Sequence, residues 1–444
     1  MNNMICPHLP DDCVIEILEH IYIETANLYP KTLHNCILIN KRWSKLAVPL
    51  LWRYPWQWRG RFRASSVFWT AIIRTIVSCL PKEVKSILFL YPPSQPRPMF
   101  DYVTYCQHIS DTVIASIIDG LLFGIDESIV IKASIAVFNR ELWKFFLSKC
   151  SSIKLLELPC ISISKYPGAI KCLESLTELE CWTFKSPSLF KELALICHNI
   201  QYLCISCDED NCGLAALITS QKRLVEVTCI SMNGSICVEI GQALAAQVHL
   251  ETLNIQNSLS FSSAVFNSFV KLSELNITLD GDTHYDLNPL KSVTLPNLQN
   301  LYIMCNDDYP PLDIYAGLIE RTQGKLKKVE IVSSHYLQKT ECFSLFIKAI
   351  SRSCLELKVV SIYYTEEVVV ELLNLIRTCE CLEEITISGR KLGGEHDKAP
   401  LVKPVFDILL NYGSQKLQKL TLLDEWNYSQ EEVKEFLESW KDPM

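Results

Sequence analysis

The sequence predicts an α/β repeat fold in which a short strand and a helix alternate many times and stack with their strands parallel. Three observations predict it. The pattern aliphatic-x-x-aliphatic-x-aliphatic begins at Ile153 and returns at Leu176, Ile200, Leu224, Leu250, Leu272, Leu298, Leu326, Leu357, Leu382 and Leu417, with gaps of 22 to 35 residues. Thirty-one of the 33 triplet positions are Leu, Ile or Val, and the exceptions, Cys181 and Cys229, are small and apolar. The residue between the last two aliphatics is never aliphatic: Glu157, Glu180, Cys204, Thr228, Asn254, Asn276, Tyr302, Glu330, Ser361, Thr386 and Thr421.

Alternate side chains of a strand point to opposite faces, so the last two aliphatics of each triplet turn inward and the residue between them turns outward. Helix-period stretches fill many of the gaps, such as Phe343, Phe346, Ile347 and Ile350 before Leu357. One such unit cannot bury its apolar face alone, but each neighbour covers it. The result is an irregular leucine-rich-repeat solenoid with parallel strands lining a concave face. Asn or Cys usually closes the turn nine residues into such a repeat. Ile161, Phe184, Asp208, Met232, Ser258 and Asp280 stand there instead, so that ladder of caps is mostly absent. The two longest gaps imply insertions, the last around Gly393-Gly394-Glu395.

Ahead of the repeats, three apolar stripes predict three short helices. Leu9-Pro10 precedes the first, Asp11 and Asp12 suit the positive end of its dipole, and Val14, Ile17, Leu18 and Ile21 follow at helical spacing. Asn27-Leu28-Tyr29-Pro30 reads as a turn. Leu33, Cys36 and Ile37 form the second stripe, and Trp43, Leu46, Ala47 and Leu50 the third, with Pro49 expected to end that helix or tighten its last turn. Val67 to Leu80 reads as a helix with Trp69, Ile72, Ile73 and Ile76 on one face. Val84, Ile87 and Phe89 read as one weak strand, and the prolines of Tyr91–Pro98 as a stiff connector. Val113–Phe123 and Leu142–Lys149 are helical patterns. The resulting division is residues 1–60, a helical trio; 61–150, a helical bridge; and 151–444, the solenoid. Val433, Phe436, Leu437 and Trp440 in an amphipathic helix cap its open end.

The amino-terminal residues resemble a known family. LPDDCVIEILEHI followed by LHNCILINKRWSKLAVPLLWR is similar to an F-box, on Leu9-Pro10, the Ile/Leu stripe, Lys41-Arg42-Trp43 and the Leu50-Leu51-Trp52 ending. It departs from the family in a longer, more polar stretch at Glu24–Lys31. With the repeats, the whole chain resembles the F-box/leucine-rich-repeat proteins, particularly the fungal ones. That resemblance implies a substrate-recognition subunit of a ubiquitin ligase, in which a Skp-type adaptor joins the chain to a cullin–RING scaffold. Leu9 and Pro10 would contact the adaptor, helped by Ile17, Leu38, Trp43 and Leu46. A repeat scaffold or inhibitor whose F-box serves adaptor-bound, non-ligase assemblies stays open beside it. Lys41, Arg42 and Lys45 read as a solvated helix face.

On the predicted concave face, the third and fifth triplet positions carry seven acids, Glu157, Glu178, Glu180, Glu226, Glu274, Glu330 and Glu384, against only Lys328 and Lys419. Trp182, Tyr202, Tyr302 and Tyr363 accompany them. Aromatic rings amid carboxylates suit a protein substrate with a basic element, and Glu178, Glu180, Trp182, Tyr202, Tyr302 and Tyr363 are its candidate contacts. Charges that merely keep a sheet soluble are the competing explanation.

With 42 Lys+Arg against 50 Asp+Glu, the formal charge of −8 argues against a general nucleic-acid binder. The longest apolar stretch, Val113–Phe138, is broken by charges and too polar for a membrane span. The opening residues lack the basic and apolar regions of a secretory signal, so a cytoplasmic or nuclear location is expected and the 20 cysteines should stay reduced. Cys150, Cys197, Cys354 and Cys379 each stand three residues before a repeat aliphatic and read as buried. Cys204-Ile-Ser-Cys207, with Cys212, also reads as repeat cysteines rather than a zinc site. No phosphate-cradling, metalloprotease or nucleophile-elbow motif occurs, so neither a cofactor, a metal nor an enzymatic activity is expected.

Overall fold

The computed structural model describes residues 9–25, 31–56, 67–87, 98–122, 132–231, 233–279, 287–305, 311–333, 340–389 and 399–440. The turn at 27–30, Phe89, the proline stretch at 91–97 and the insertion at 393–395 lie outside them. The chain forms two compact units, Met1–Glu180 with Glu192–Ile200, and Cys181–Lys191 with Gln201–Met444.

The first unit opens with three helices, α1 (Asp11–Thr25), α2 (Lys31–Ile39) and α3 (Lys41–Leu51). Val14, Leu18, Leu33, Cys36, Ala47 and Leu50 form their core, with Ile21, Ile37, Trp43 and Leu46 packed against it. Asn40 caps α3 by accepting from the Trp43 N–H at 3.0 Å, freeing the chain to turn from one helix straight into the next. Pro49 does not end α3, which runs on to Leu51 and closes with Trp52 N–H on the Val48 carbonyl at 3.0 Å. Proline removes only its own donor, to the Lys45 carbonyl, and the following turn recovers. Then come α4 (Val67–Cys79), with Trp69, Ile72, Ile73 and Ile76 buried, and α5 (Lys82–Ile87). The weak strand expected at Val84 and Ile87 is thus a helix. Pro81 at its start and Glu83 in its first turn are helix-opening signals, and a three-residue spacing suits either element.

A two-residue strand that no triplet marks, β1 (His108–Ile109), precedes α6 (Asp111–Leu122), α7 (Lys132–Lys149), β2 (Leu155–Glu157) and α8 (Ala169–Leu173). The segment after α3 is tied to β1: Trp56 Nε1 donates to the His108 carbonyl at 3.0 Å, and Gln107 N to the Arg53 carbonyl at 2.9 Å. Arg53 is itself held by Glu19 of α1 through two bonds of 2.7 and 3.1 Å. The helical trio therefore folds as part of this unit.

The repeats continue with β3 (Glu178–Trp182), α9 (Pro187–Ala194), β4 (Tyr202–Ser206), α10 (Cys212–Thr219), β5 (Glu226–Ser231), α11 (Val238–Ala245), β6 (Thr252–Asn257), α12 (Ser263–Asn267), β7 (Glu274–Leu279), β8 (Asn300–Cys305), α13 (Leu312–Ile319), β9 (Lys328–Ser333), α14 (Thr340–Ser353), β10 (Val359–Tyr364), α15 (Val369–Thr378), β11 (Glu384–Gly389), α16 (Lys403–Tyr412), β12 (Lys419–Asp424) and α17 (Gln430–Trp440). Strand order follows chain order, with parallel pairing from β1 to β3 and from β4 to β12. This is a leucine-rich-repeat solenoid. Each of the eleven triplets supplies one strand, β2 to β12. All triplet side chains are buried except Leu420 and Leu422 on β12, which are half-buried. Phe436 of α17 is buried and stacks on Phe406 of α16 at 4.0 Å, while Leu437 remains exposed.

The turns are closed by residues that do not stand at the usual ninth position of the repeat. In the second unit Thr183 Oγ1 donates to the Ser206 carbonyl at 3.1 Å and accepts from the Asp208 N–H at 3.0 Å. Buried Asn211 donates to the Thr183 and Lys185 carbonyls, both at 2.8 Å, and accepts from Gly213 N and Leu214 N at the start of α10. Gly213 is required by this approach, because a Cβ there would lie 2.1 Å from the Pro187 carbonyl oxygen. The lead-in cysteines donate to carbonyls one repeat earlier: Cys150 to Val103 at 3.3 Å, Cys197 to Leu173 at 3.5 Å and Cys379 to Cys354 at 3.5 Å. Burial pushes the Cys197 thiol up to about 12 and the Cys379 thiol up to about 11, so both remain neutral donors.

Candidate functional site

Two surfaces carry the residues singled out by sequence. On the helical trio, Leu9 is 51% exposed, Ile17 41% and Leu38 71%, and Pro10 is exposed as well. Trp43 and Leu46 are half-buried against the small core. Ile17 therefore does not belong to the core stripe in which its spacing put it. A face centred on Val14, Leu18 and Ile21 turns Ile17 toward solvent. Ile15, Ile23 and Ile39 are also exposed, giving six large aliphatics in solvent between residues 9 and 39. Arg42, expected to be solvated, is engaged: Nε donates to the Asp11 carboxylate at 2.6 Å and Nη2 to the Leu9 carbonyl.

The second surface is the outward face of the sheet. In the first unit Glu178 is half-buried and Glu180 reaches solvent, and Glu157 accepts from Thr112 Oγ1 at 2.9 and 3.2 Å. The Glu180 carboxyl is pushed up, first by desolvation among its packed neighbours and then by the Glu157 carboxylate.

In the second unit Trp182 is half-buried beneath the Lys185 ammonium, which sits 4.9 Å from its ring centre, and Tyr202 is exposed. Tyr363 is corrected by the structure. Alternation assigned it outward, yet it is only 3% exposed, with the Phe343 ring of α14 5.7 Å away. The outward side of β10 is covered, and Ser361 two residues earlier is buried with it. Tyr363 is packing, not contact surface.

Register and hydrogen bonding build a defined pocket around Tyr302. Parallel pairing aligns Glu226, Thr252, Glu274, Asn300 and Lys328 in one row and Thr228, Asn254, Asn276, Tyr302 and Glu330 in the next. Asn254 Nδ2 donates to Glu226 Oε1 at 2.8 Å and Thr228 Oγ1 at 3.0 Å. Asn276 Nδ2 donates to Asn254 Oδ1 at 2.7 Å and Glu274 Oε1 at 2.9 Å. A cavity of about 390 Å³ opens over β6 to β9, lined by Asn254, Glu274 and Asn276 of this ladder with Tyr302, Lys328 and Glu330. Sequence reasoning found Tyr302 but missed the two asparagines. Their shared fifth position in consecutive triplets was the available signal.

The acidic tally also changes in three dimensions. Lys328 pairs with Glu330 and Lys419 with Glu384, both at 2.9 Å, so the two lysines neutralise two of the acids. Of the CxxC pair, Cys204 is half-buried on the outward face, while Cys207 is buried with its thiol toward the Ile205 carbonyl at 3.8 Å. Cys212 is exposed. Among the described residues no group of three or more His, Cys, Asp or Glu could hold a metal ion, and no helix is long and apolar enough to cross a membrane.

No protein-family model matches the chain, and no curated protein sequence does. Among solved structures it is similar to an internalin from Listeria monocytogenes, at 14% identity and a TM-score of 0.31 over 66% of this chain and 86% of that one. It is similar to the leucine-rich-repeat-containing protein LegL7 from Legionella pneumophila, at 11% identity and a TM-score of 0.34 over 67% of this chain and 93% of that one. A third similarity is to TLR13 in its complex with ssRNA13, at 14% identity and a TM-score of 0.35 over 63% of this chain and 41% of that one. It is the strand register and the buried triplets that define the fold. A stacked-repeat sheet of this kind offers an extended surface suited to binding other proteins.

Proposed function

We propose that the chain is the substrate-recognition subunit of a Skp–cullin–F-box ubiquitin ligase. On this reading residues 1–60 are an F-box that docks a Skp-type adaptor, 61–150 a helical bridge, and 151–444 a repeat domain that captures a protein substrate. The chain does no covalent chemistry. It raises the effective concentration of substrate lysines near the conjugating enzyme that the cullin–RING scaffold carries. Such a subunit works in the cytoplasm or nucleus, without a cofactor.

One observation carries the reading: three short helices on one small core leave Leu9, Pro10, Ile17 and Leu38 in solvent, at the positions the F-box resemblance assigns to the adaptor. Large aliphatics gathered in solvent on a small module favour a protein partner that covers them. Trp43 and Leu46, the other residues that the resemblance assigns to the adaptor, are half-buried against the small core.

The test is affinity purification of the tagged full chain from cells. The reading expects a Skp-type adaptor and a cullin, both lost in the Leu9→Ala/Pro10→Ala double variant. Recovery of neither contradicts it, and adaptor without cullin favours a non-ligase scaffold.

A further inference from the structure

We infer that the cavity over β6–β9 is an arginine-binding pocket for a protein partner of the repeat domain. The inference rests on the protein-capture half of the proposed function and specifies the side chain that is captured.

Hydrogen-bond polarity sets the direction of the ladder. The Glu226 and Glu274 carboxylates are acceptors only, so each asparagine beside them must present its NH2 group. Both N–H groups of Asn254 and both of Asn276 are consumed within the ladder. The Tyr302 hydroxyl points to Met304 Sδ at 3.6 Å, and the Lys328 ammonium to Glu330 at 2.9 Å. What the centre of the pocket keeps is acceptor capacity: Asn276 Oδ1, the second oxygen of Glu274, and the face of the Tyr302 ring. Asn300 and Gln256 also line it and carry amides of both polarities.

Charge points the same way. The ionisable lining is Glu274, Lys328 and Glu330, and the last two cancel. Among the described residues Glu274 has no cationic partner. The pocket thus holds one uncompensated carboxylate, an outward amide oxygen and an aromatic face. A guanidinium answers all three: it is planar, permanently charged, carries five N–H donors in a fixed fork and stacks on an aromatic ring. An ammonium can also donate and sit over a ring, but it lacks the flat fork that reaches two acceptors at fixed spacing while stacking on the ring. The polar rows of Gln256, Thr278 and Asn300 beside the cavity suit the backbone of an extended segment, so the occupant is an arginine within a protein chain.

The test uses the full chain and three fluorescein-labelled probes, octa-arginine, octa-lysine and octa-citrulline, titrated by anisotropy at physiological salt. Octa-arginine should bind at least tenfold more tightly than octa-lysine, and octa-citrulline more weakly still. Glu274→Gln and Tyr302→Leu should each weaken octa-arginine roughly ten- to a hundredfold, the range for losing a charge-assisted bond or a cation–π contact. Glu356→Gln removes an exposed acid outside the pocket and should change binding less than twofold. Equal binding of octa-lysine, or equal effects of Glu274→Gln and Glu356→Gln, would overturn the inference in favour of diffuse attraction. Adaptor recovery by the Glu274→Gln variant separates the two failures. A pocket that fails while adaptor capture persists removes only this inference; loss of adaptor from the wild type leaves the peptide result standing.

Discussion

The Arg42 guanidinium donates to the main-chain carbonyl of Leu9, tying the lead-in of the first helix to the start of the third. Its Nε donates to Asp11 as well. The segment that carries the proposed adaptor contacts is therefore held in place by a side chain rather than by core packing. Both members of the Arg42–Asp11 pair are substantially exposed, so its contribution to stability is at most about 1 kcal/mol. Arg42→Ala should leave the melting temperature within a few degrees of wild type while accelerating amide exchange at residues 11–14. Unchanged exchange there would show that the lead-in needs no such tether.

Asn211→Ala should be far more damaging. Four hydrogen bonds converge on this buried side chain, two from helix N–H groups and two to carbonyls of the preceding turn. Removing it costs a cap and strands buried acceptors, about 3 kcal/mol in total. A shift in the urea midpoint read by far-ultraviolet circular dichroism measures this directly.

These two sites also show where sequence reading reached and where it stopped. The strands were legible because burial on a parallel sheet needs the same aliphatic spacing in every repeat, and each triplet from Ile153 to Leu417 supplies one. β1 was not, since two residues, His108 and Ile109, pair with β2 through backbone bonds that demand no side-chain pattern. Asn211 was passed over because its partners, Thr183 and Lys185, lie more than 25 residues away and meet it only once the repeats stack. At the sheet face, the sequence put Tyr302 among the candidate contacts and Glu274 only in the tally of acids, and it did not show the polarity of the Asn254–Asn276 ladder, which depends on strand register. Tyr363 failed for the opposite reason, since alternation gives a direction but not what covers it.

Burial lowers His108 to about 4 from an ordinary 6.5, because its ring is desolvated in the first unit. Its folded-state affinity for a proton is thus below that of the unfolded chain. The unfolded state binds the extra proton between the two values, so stability is undiminished above pH 6.5 and falls as pH drops toward 4. The full loss is at most about 3 kcal/mol. Comparing urea midpoints at pH 7.5 and 4.5 should show a smaller acid-side loss in His108→Gln than in wild type. An identical loss would remove His108 from the account.

Phe436 is the buried side chain of α17 and stacks on Phe406 at 4.0 Å. Phe436→Ala should release the terminal helix at a cost of about 3 kcal/mol. The loss should appear as fast exchange over residues 430–440 and greater exposure of Leu420 and Leu422. Protection elsewhere in the repeats should persist, because each unit is stabilised chiefly by its neighbours.

The most direct measurement is calorimetric titration of the purified full chain with a purified Skp-type adaptor. The account predicts saturable one-to-one binding that Leu9→Ala/Pro10→Ala weakens at least tenfold, with the fold of the variant intact by circular dichroism. Absence of binding by the wild-type chain, or equal affinity for the well-folded double variant, would contradict it.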